Sequence, residues 1–120
     1  MILVDTSVWI DHLRAGEAQL EEGLEHGLVL CHPFIVGELA CGHIVNRTEV
    51  LRHLQSLPGA PVARRPEALA AIESHGLWRR GIGYIDVHLL ASASLAGATL
   101  WTRDRRLHDI AREMRIAHEA

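Results

Sequence analysis

Lysine is absent from this chain of 120 residues, and its absence excludes several chemistries at once. All twelve basic residues are arginines. A P-loop uses a lysine to contact phosphates, and a Schiff base forms on a lysine amine. A phospho-receiver domain also requires a lysine beside its aspartates. The sequence therefore belongs to none of these classes.

Cysteines and long apolar runs are also scarce. Cys31 and Cys41 are the only cysteines and form no CxxC motif, so we expect both to be reduced and buried rather than paired in a disulfide. No apolar run reaches the ~18 residues of a membrane span, and residues 1–5 lack the features of a secretion signal. We expect a single soluble, cytoplasmic domain that occupies residues 1–120.

Charge is distributed unevenly along the chain. Residues 1–60 hold eight acidic residues and three arginines, a net charge of −5, whereas residues 61–120 hold seven and nine, a net charge of +2. Guanidinium groups pair bidentately with phosphate oxygens, so the second half could present a phosphate-binding surface. A solvated helix face explains the same charges, and charge alone favours that interpretation.

Apolar runs and helix breakers predict strands that alternate with helices. Strands are predicted at residues 1–4, 28–31 and 98–102, with weak edge strands at 60–63 and 116–117. Helices are predicted at 7–13, 17–26, 33–41, 66–74, 84–95 and 105–114, and one more is predicted to end at residue 57 after a cap at Asn46 or Thr48. Because hairpin signals and repeats are absent, this order predicts an α/β fold with a parallel sheet of four to five strands covered by helices on both faces.

Four acidic residues stand where an apolar element ends or becomes amphipathic. We call them the acidic quartet: Asp5, Glu38, Asp86 and Asp104. The three aspartates lie at helix starts, where an N-cap or a favourable charge on the helix dipole also explains them. Glu38 is harder to explain, because it lies mid-helix among small and apolar residues with no basic residue at helical spacing. A carboxylate at that position needs a partner from elsewhere in the fold.

The carboxyl ends of parallel strands meet at one edge of a sheet, and ligands bind there. Asp5 and Asp104 follow neighbouring strands, and Glu38 and Asp86 lie on helices beside the same edge. Four carboxylates in one crevice cannot all be ionised unless a cation lies among them. Oxygen ligands suit Mg²⁺ or Mn²⁺ rather than zinc. Such an ion can orient and polarise a phosphodiester and activate water for in-line attack.

The segments that carry these acids resemble the successive motifs of PIN-domain ribonucleases, in particular the VapC toxins of type II toxin-antitoxin pairs. The segments are Val4-Asp-Thr-Ser7, Pro33-Phe-Ile-Val-Gly-Glu-Leu39, Asp86-Val-His-Leu-Leu-Ala-Ser92 and Leu100-Trp-Thr-Arg-Asp104. The resemblance spans the chain. It implies a three-layer α/β/α PIN-like fold and a Mg²⁺- or Mn²⁺-dependent endoribonuclease that acts on structured RNA such as tRNA or rRNA. It also implies a homodimer and a VapB-type antitoxin.

By matching position, the resemblance implies catalytic and metal-binding roles for the acidic quartet. Thr6 or Ser7 matches the family's hydroxyl position, and Thr102 matches the threonine before the last acid. These hydroxyls would orient carboxylates or water bound to the metal. Whether Asp104 binds metal directly or through water is left open.

Contacts to RNA and to the antitoxin are predicted at the surface. The arginines predicted to contact RNA are Arg79, Arg80, Arg103 and Arg105. The antitoxin is expected to cover a groove beside Trp9 and Leu13, which share a face of the first helix, and to place a basic side chain among the quartet. Five aromatic residues are too few for an extensive base-stacking platform.

Three alternatives are weighed against this interpretation. Cysteines and histidines cluster loosely between residues 31 and 43, but their spacing differs from that of zinc knuckles and ribbons, which disfavours zinc. His88 either contacts substrate or packs as an ordinary histidine, and packing is favoured. The domain could also be a catalytically inactive PIN-like or flavodoxin-like interaction module whose acids only cap helices. The intact quartet argues against inactivity.

Overall fold

The computed structural model describes all 120 residues and contains three strands and seven helices. In chain order these are β1 (Ile2–Val4), α1 (Thr6–Ala15), α2 (Ala18–Glu25), β2 (Val29–Leu30), α3 (Pro33–Cys41), α4 (Arg47–Ser56), α5 (Arg65–His75), α6 (Tyr84–Ala96), β3 (Thr99–Trp101) and α7 (Arg105–Glu113). All seven predicted helices and the three main strands are present. None of the helices is long and apolar enough to span a bilayer.

The sheet has the order β2-β1-β3 and is entirely parallel. β1 is the central strand, and its Ile2 lies opposite Val29 on one side and Thr99 on the other. α6 packs against β1 and β3, α7 packs against β3, and α2 packs against β2. The predicted α/β class with a parallel sheet is confirmed.

The predicted count of four to five strands is wrong, because the two weak edge strands are reduced to single bridges. Gly59 bridges Cys31, and Ala117 bridges Leu100, both in the parallel sense. On the first edge, Pro61 has no N–H to donate, so the ladder ends. On the second edge, Arg115 adopts a left-handed conformation (φ 62°), which interrupts an extended chain just before the bridge.

The hydrophobic core joins the sheet to α6 and α7. Leu3 of β1, Leu89 and Leu90 of α6, and Leu107 and Ile110 of α7 are fully or almost fully buried. Every residue of α6 from 87 to 93 is buried, whereas Ser94 and Leu95 near its C-terminal end are exposed. The first turn of α6, which carries Asp86, therefore lies at the boundary between core and solvent.

The two cysteines are both free, as predicted, but only Cys31 is buried. Cys41 is exposed at the end of α3, so the prediction that it is buried is wrong. The cysteine and histidine side chains between residues 31 and 43 form no group that could hold a metal ion. The zinc alternative therefore has no structural support.

Candidate functional site

Asp5 extends the central strand into the site. Its N–H donates to the carbonyl of Trp101 (2.9 Å), which prolongs the pairing of β1 with β3. The side chain is buried, and its Oδ2 accepts hydrogen bonds from Ser7 Oγ (2.8 Å) and Thr102 Oγ1 (2.7 Å). It makes no capping bond to α1. The carboxylate is thus fixed by two hydroxyls rather than used as a helix cap.

Glu38 projects from the exposed face of α3. Its Oε1 accepts a hydrogen bond from Thr6 Oγ1 (2.8 Å), which links α3 to the first turn of α1. The sequence left Thr6 and Ser7 as alternatives for one hydroxyl position. In the structure both are used, because Thr6 binds Glu38 while Ser7 binds Asp5.

Asp86 lies in the first turn of α6, where its Oδ2 accepts a hydrogen bond from the N–H of Gly83 (3.1 Å). Burial raises the pKa of this carboxyl above its ordinary value, and the charges of Asp5, Asp104 and Glu38 raise it further. The hydrogen bond from Gly83 acts in the opposite direction. The other three acids are therefore within electrostatic reach of Asp86.

Asp104 caps α7 and contacts the rest of the site through Thr102. Its Oδ1 accepts hydrogen bonds from the N–H groups of Arg106 (2.9 Å) and Leu107 (3.2 Å), so the predicted capping role is confirmed. Its own N–H donates to Thr102 Oγ1 (3.1 Å), the hydroxyl that donates to Asp5. Thr102 therefore connects two members of the quartet.

Each carboxylate of the quartet accepts hydrogen bonds through one oxygen only. The oxygens without a protein partner are Asp5 Oδ1, Glu38 Oε2, Asp86 Oδ1 and Asp104 Oδ2. No three acidic, histidine or cysteine side chains lie close enough together to hold an ion as they stand, and ionised carboxylates repel one another. This all-oxygen donor set, with hydroxyls that orient it, fits Mg²⁺ or Mn²⁺.

The four arginines predicted to contact RNA fall into two classes. Arg103 pairs with Asp11 (2.9 Å) and Glu17, and Arg80 forms two bonds to Glu113 (3.0 and 2.6 Å). Arg79 and Arg105 are exposed and make no ion pair. Only these last two have guanidinium groups available to a phosphate without breaking an existing pair.

An aromatic ladder joins α3 to α6 beside the quartet. The His88 ring makes edge contacts with Phe34 (5.0 Å between ring centres) and Tyr84 (4.6 Å), and Phe34 in turn contacts His32 (4.9 Å). His88 is buried, which agrees with the packing role favoured from the sequence. The sequence placed His32 only in the loose cluster weighed for zinc, whereas in the structure its Nδ1 caps α3 by accepting the N–H of Phe34 (3.0 Å).

A groove of about 490 Å³ opens beside Glu38, and Leu13 and Ile10 are among its lining residues. Trp9 is not among the residues that line this groove, but it lines a second groove of about 260 Å³ together with Leu13, although its side chain is only 4% exposed. Ile10, in the first groove, is 43% exposed. The use of either groove by an antitoxin stays a prediction.

A family model described as "PIN domain" matches residues 2–113, which include the whole quartet. The chain belongs to the PIN-domain family. It is 48% identical over 118 residues to Ribonuclease VapC32 of Mycobacterium tuberculosis, in strains CDC 1551 / Oshkosh and ATCC 25618 / H37Rv, with 98% of this chain and 95% of each relative covered. The crystal structure of PAE2754 from Pyrobaculum aerophilum shares the fold, with a TM-score of 0.59 and 20% identity over 91% of this chain and 78% of that one. The family predicted from the motifs is confirmed.

The carboxylates of this PIN domain come from four separate places in the fold. Asp5 follows the central strand, Glu38 lies in α3, Asp86 begins α6, and Asp104 joins β3 to α7. Because β1 and β3 are parallel neighbours, their carboxyl ends place Asp5 and the loop of Asp104 side by side. The site therefore depends on the assembled sheet and not on one local motif.

Proposed function

We propose that this PIN domain is a metal-dependent endoribonuclease of the VapC toxin type, which hydrolyses phosphodiester bonds in RNA. The observation that carries the proposal is the acidic quartet, in which each carboxylate keeps one oxygen without a protein partner. The raised pKa of Asp86, which follows from its burial and from the charges of the other three acids, supports it. A concentration of negative charge repels a phosphodiester unless a cation offsets it. The relatives named Ribonuclease VapC32 make RNA the favoured substrate.

The oxygens of the quartet without protein partners would hold the ion. When bound, Mg²⁺ or Mn²⁺ would polarise the phosphodiester and lower the pKa of a water molecule. The chain's hydroxyls fix the donors in advance, since Ser7 and Thr102 occupy Oδ2 of Asp5 and leave Oδ1 available. Burial and the charges of the other three acids raise the pKa of Asp86, and a bound cation would offset these charges.

The RNA substrate is proposed to be structured RNA such as tRNA or rRNA. Arg79 and Arg105 supply exposed guanidinium groups without acidic partners, and such groups bind phosphate oxygens bidentately. A backbone contact of this kind positions RNA without reading its sequence. We therefore propose Arg79 and Arg105, rather than the paired Arg80 and Arg103, as the contacts to the RNA backbone.

A VapB-type antitoxin is proposed to bind the groove beside Glu38. The groove combines apolar side chains, including Ile10, Leu13 and Val45, with the carboxylate of Glu38 at its edge. An arginine from the antitoxin could enter the quartet and take the place of the cation. We also propose a homodimer, which the exposed apolar side chains of Trp78, Tyr84 and Ile85 support.

The test of the nuclease proposal is cleavage of RNA by purified protein after chelation and stepwise return of Mn²⁺. We expect Asp5→Asn and Glu38→Gln to abolish cleavage while the fold is retained. Asp109→Asn and Glu73→Gln are matched controls, because both residues are exposed and lie outside the quartet. Cleavage by either quartet variant, with contaminating ribonuclease excluded, would contradict the assignment. A wild-type protein without cleavage at any Mn²⁺ concentration would favour the inactive interaction module.

A further inference from the structure

Arg103 lies between two residues of the site and makes three hydrogen bonds, two to α1 and one to Glu17 in the turn between α1 and α2. Its backbone N–H donates to Ser7 Oγ (3.0 Å), its Nη1 donates to Asp11 Oδ2 (2.9 Å), and its Nη2 donates to Glu17 Oε2. Ser7 and Asp11 are four residues apart on α1, so they share one face of that helix. The loop from Thr102 to Asp104 therefore lies along that face.

One of the two acids that bind Arg103, Glu17, is itself held in place by further hydrogen bonds. Glu17 caps α2 by accepting the N–H of Gln19 (3.3 Å), and its own N–H donates to Nδ1 of His12 (3.2 Å). The hydrogen bond from Arg103 lowers the pKa of Glu17, so this partner is ionised at neutral pH. The guanidinium thus docks on a fixed acidic receptor at the turn between α1 and α2.

The loop needs such an attachment because it brings the carboxylate of Asp104 close to the other carboxylates of the quartet. Thr102 connects Asp104 to Asp5, and the negative charges of neighbouring carboxylates repel one another until a cation binds. The hydrogen bond from Thr102 to Asp5 acts on the same loop from inside the site. The guanidinium group of Arg103 lies on the outer side of the loop and pairs with Asp11 and Glu17, so it opposes displacement of the loop.

We propose that Arg103 is a positioning residue, which clamps the Thr102–Asp104 loop onto Asp11 and Glu17 so that Asp104 is held in register with Asp5. The clamp acts through geometry, because half-exposed ion pairs of this kind contribute little to global stability. Groups that orient metal ligands commonly change metal affinity about 10- to 100-fold when they are removed. The inference rests on the proposed metal site and gives Arg103 a role other than contact with RNA.

The experiment compares Arg103→Gln with the double variant Asp11→Asn/Glu17→Gln, in which the arginine is kept and its receptor is lost. Mn²⁺ affinity is measured by calorimetry without RNA, and RNA binding is measured by fluorescence anisotropy in EDTA. We expect both variants to bind Mn²⁺ about 10- to 100-fold more weakly. Arg103→Lys should be intermediate, since an ammonium group cannot form the same fork to two acids. Arg52→Gln, which breaks the exposed pair with Glu49 on α4, should bind Mn²⁺ like the wild type.

The double variant Asp11→Asn/Glu17→Gln distinguishes a positioning role of Arg103 from a contact between Arg103 and RNA. Loss of two negative charges should strengthen or maintain RNA binding in EDTA, so weaker Mn²⁺ binding in that variant cannot come from loss of an RNA contact. Unchanged Mn²⁺ affinity in Asp11→Asn/Glu17→Gln, or weakened RNA binding in Arg103→Gln with normal Mn²⁺ affinity, would overturn the proposal. The Mn²⁺ measurements test the clamp even if the wild-type protein cleaves no RNA, a result that would reject the proposed function alone.

Discussion

At the scale of single residues, the hydroxyl group of Thr102 contacts three other residues of the site. Its hydroxyl donates to Asp5 and accepts the N–H of Asp104, and it lies 3.3 Å from the hydroxyl of Ser7. A hydrogen bond to a charged group contributes about 1.5–3 kcal/mol. Because the side chain is buried, water cannot readily replace these bonds. We therefore expect the hydroxyl to stabilise the fold and to fix the positions of Asp5 and Asp104.

We expect Thr102→Val to lower the free energy of unfolding by about 1.5–3 kcal/mol, because valine keeps the shape but removes the hydroxyl. Thr102→Ser, which keeps the hydroxyl and loses one methyl group, is the matched control and should be affected less. Urea denaturation of the three proteins measures the difference. Equal losses in the serine and valine variants would show that packing, not hydrogen bonding, explains the role of Thr102.

Asp86 should oppose folding in the absence of metal. Its folded-state pKa is raised above the ordinary value of 3.8, so its contribution to stability is greatest at low pH. That contribution is lost as pH rises from the unfolded-state pKa through the raised folded-state pKa. We therefore expect Asp86→Asn to be at least as stable as the wild type at pH 7 in EDTA, yet to bind Mn²⁺ more weakly. A clear loss of stability in EDTA would contradict this account.

The contribution of His32 to the free energy of unfolding should depend on pH in the opposite direction to that of Asp86. Burial and, to a smaller extent, the neighbouring His88 together lower its pKa from the ordinary value of 6.5 to about 4. The neutral form is favoured in the fold, so its contribution is complete above pH 6.5 and is lost as pH falls toward 4. The shift corresponds to about 3 kcal/mol. Denaturation from pH 7 to 4 should show a smaller loss in His32→Asn, which retains a capping oxygen, than in the wild type or in the exposed control His75→Asn.

At the scale of elements, the loop before α6 is attached to α7. Arg80 forms two bonds to Glu113, and Gly81 has a left-handed φ of 81°. A Cβ atom at Gly81 would approach the Cδ and Nη1 atoms of Arg106 to 2.8 Å. The backbone conformation therefore favours glycine at this position, and an added Cβ would also force the exposed side chain of Arg106 to shift.

We expect Gly81→Ala to destabilise the protein by more than about 1 kcal/mol, because alanine is strained at positive φ and must displace Arg106. Gly37 is the matched control in the interior of α3, where an added Cβ has no neighbour within 4 Å. Gly37→Ala should stabilise the protein by about 0.5–1 kcal/mol through helix propensity. Urea denaturation measures the change in the free energy of unfolding for both variants. A stabilised Gly81→Ala would contradict the left-handed conformation of Gly81.

Helices and buried strands could be predicted from the sequence, because their signals are local. Pro33 begins α3 and Gly97 follows α6, as prolines and glycines at these positions predict. The edge strands could not be predicted reliably, because a short extended segment pairs only where its N–H groups face the neighbouring strand. The burial of Trp9 also escaped prediction, since amphipathic spacing alone does not say which face of α1 the core covers.

The members of the quartet could be identified from strand ends and motifs, whereas their hydrogen-bond partners could not. Thr6 and Glu38 are separated by 32 residues, and Arg103 is 92 residues from Asp11. Such pairs depend on how α1 packs against α3 and on how β1 pairs with β3, which no local pattern encodes. The catalytic and metal-binding roles of the quartet remain predictions that the experiments above test.

At the scale of the whole molecule, the central strand explains why residues distant in sequence share one site. β1 pairs with β3 on one side, and α1, which follows β1, packs against α3. The N-terminal segment thus contacts the parts of the fold that carry Glu38 and Asp104. A cation shared by the quartet would stabilise the assembled fold, by about 2.7 kcal/mol at a hundredfold excess over its Kd.

The central claim is that the quartet forms one divalent-metal centre. Anomalous diffraction from crystals soaked in Mn²⁺ tests it most directly, with Asp5→Asn crystals as the control. The account predicts an anomalous peak within metal–oxygen bonding distance of Asp5 and at least one other quartet carboxylate, and a weaker or absent peak in the control. Absence of a peak at Mn²⁺ concentrations that support RNA cleavage, or a peak away from the quartet, would contradict it.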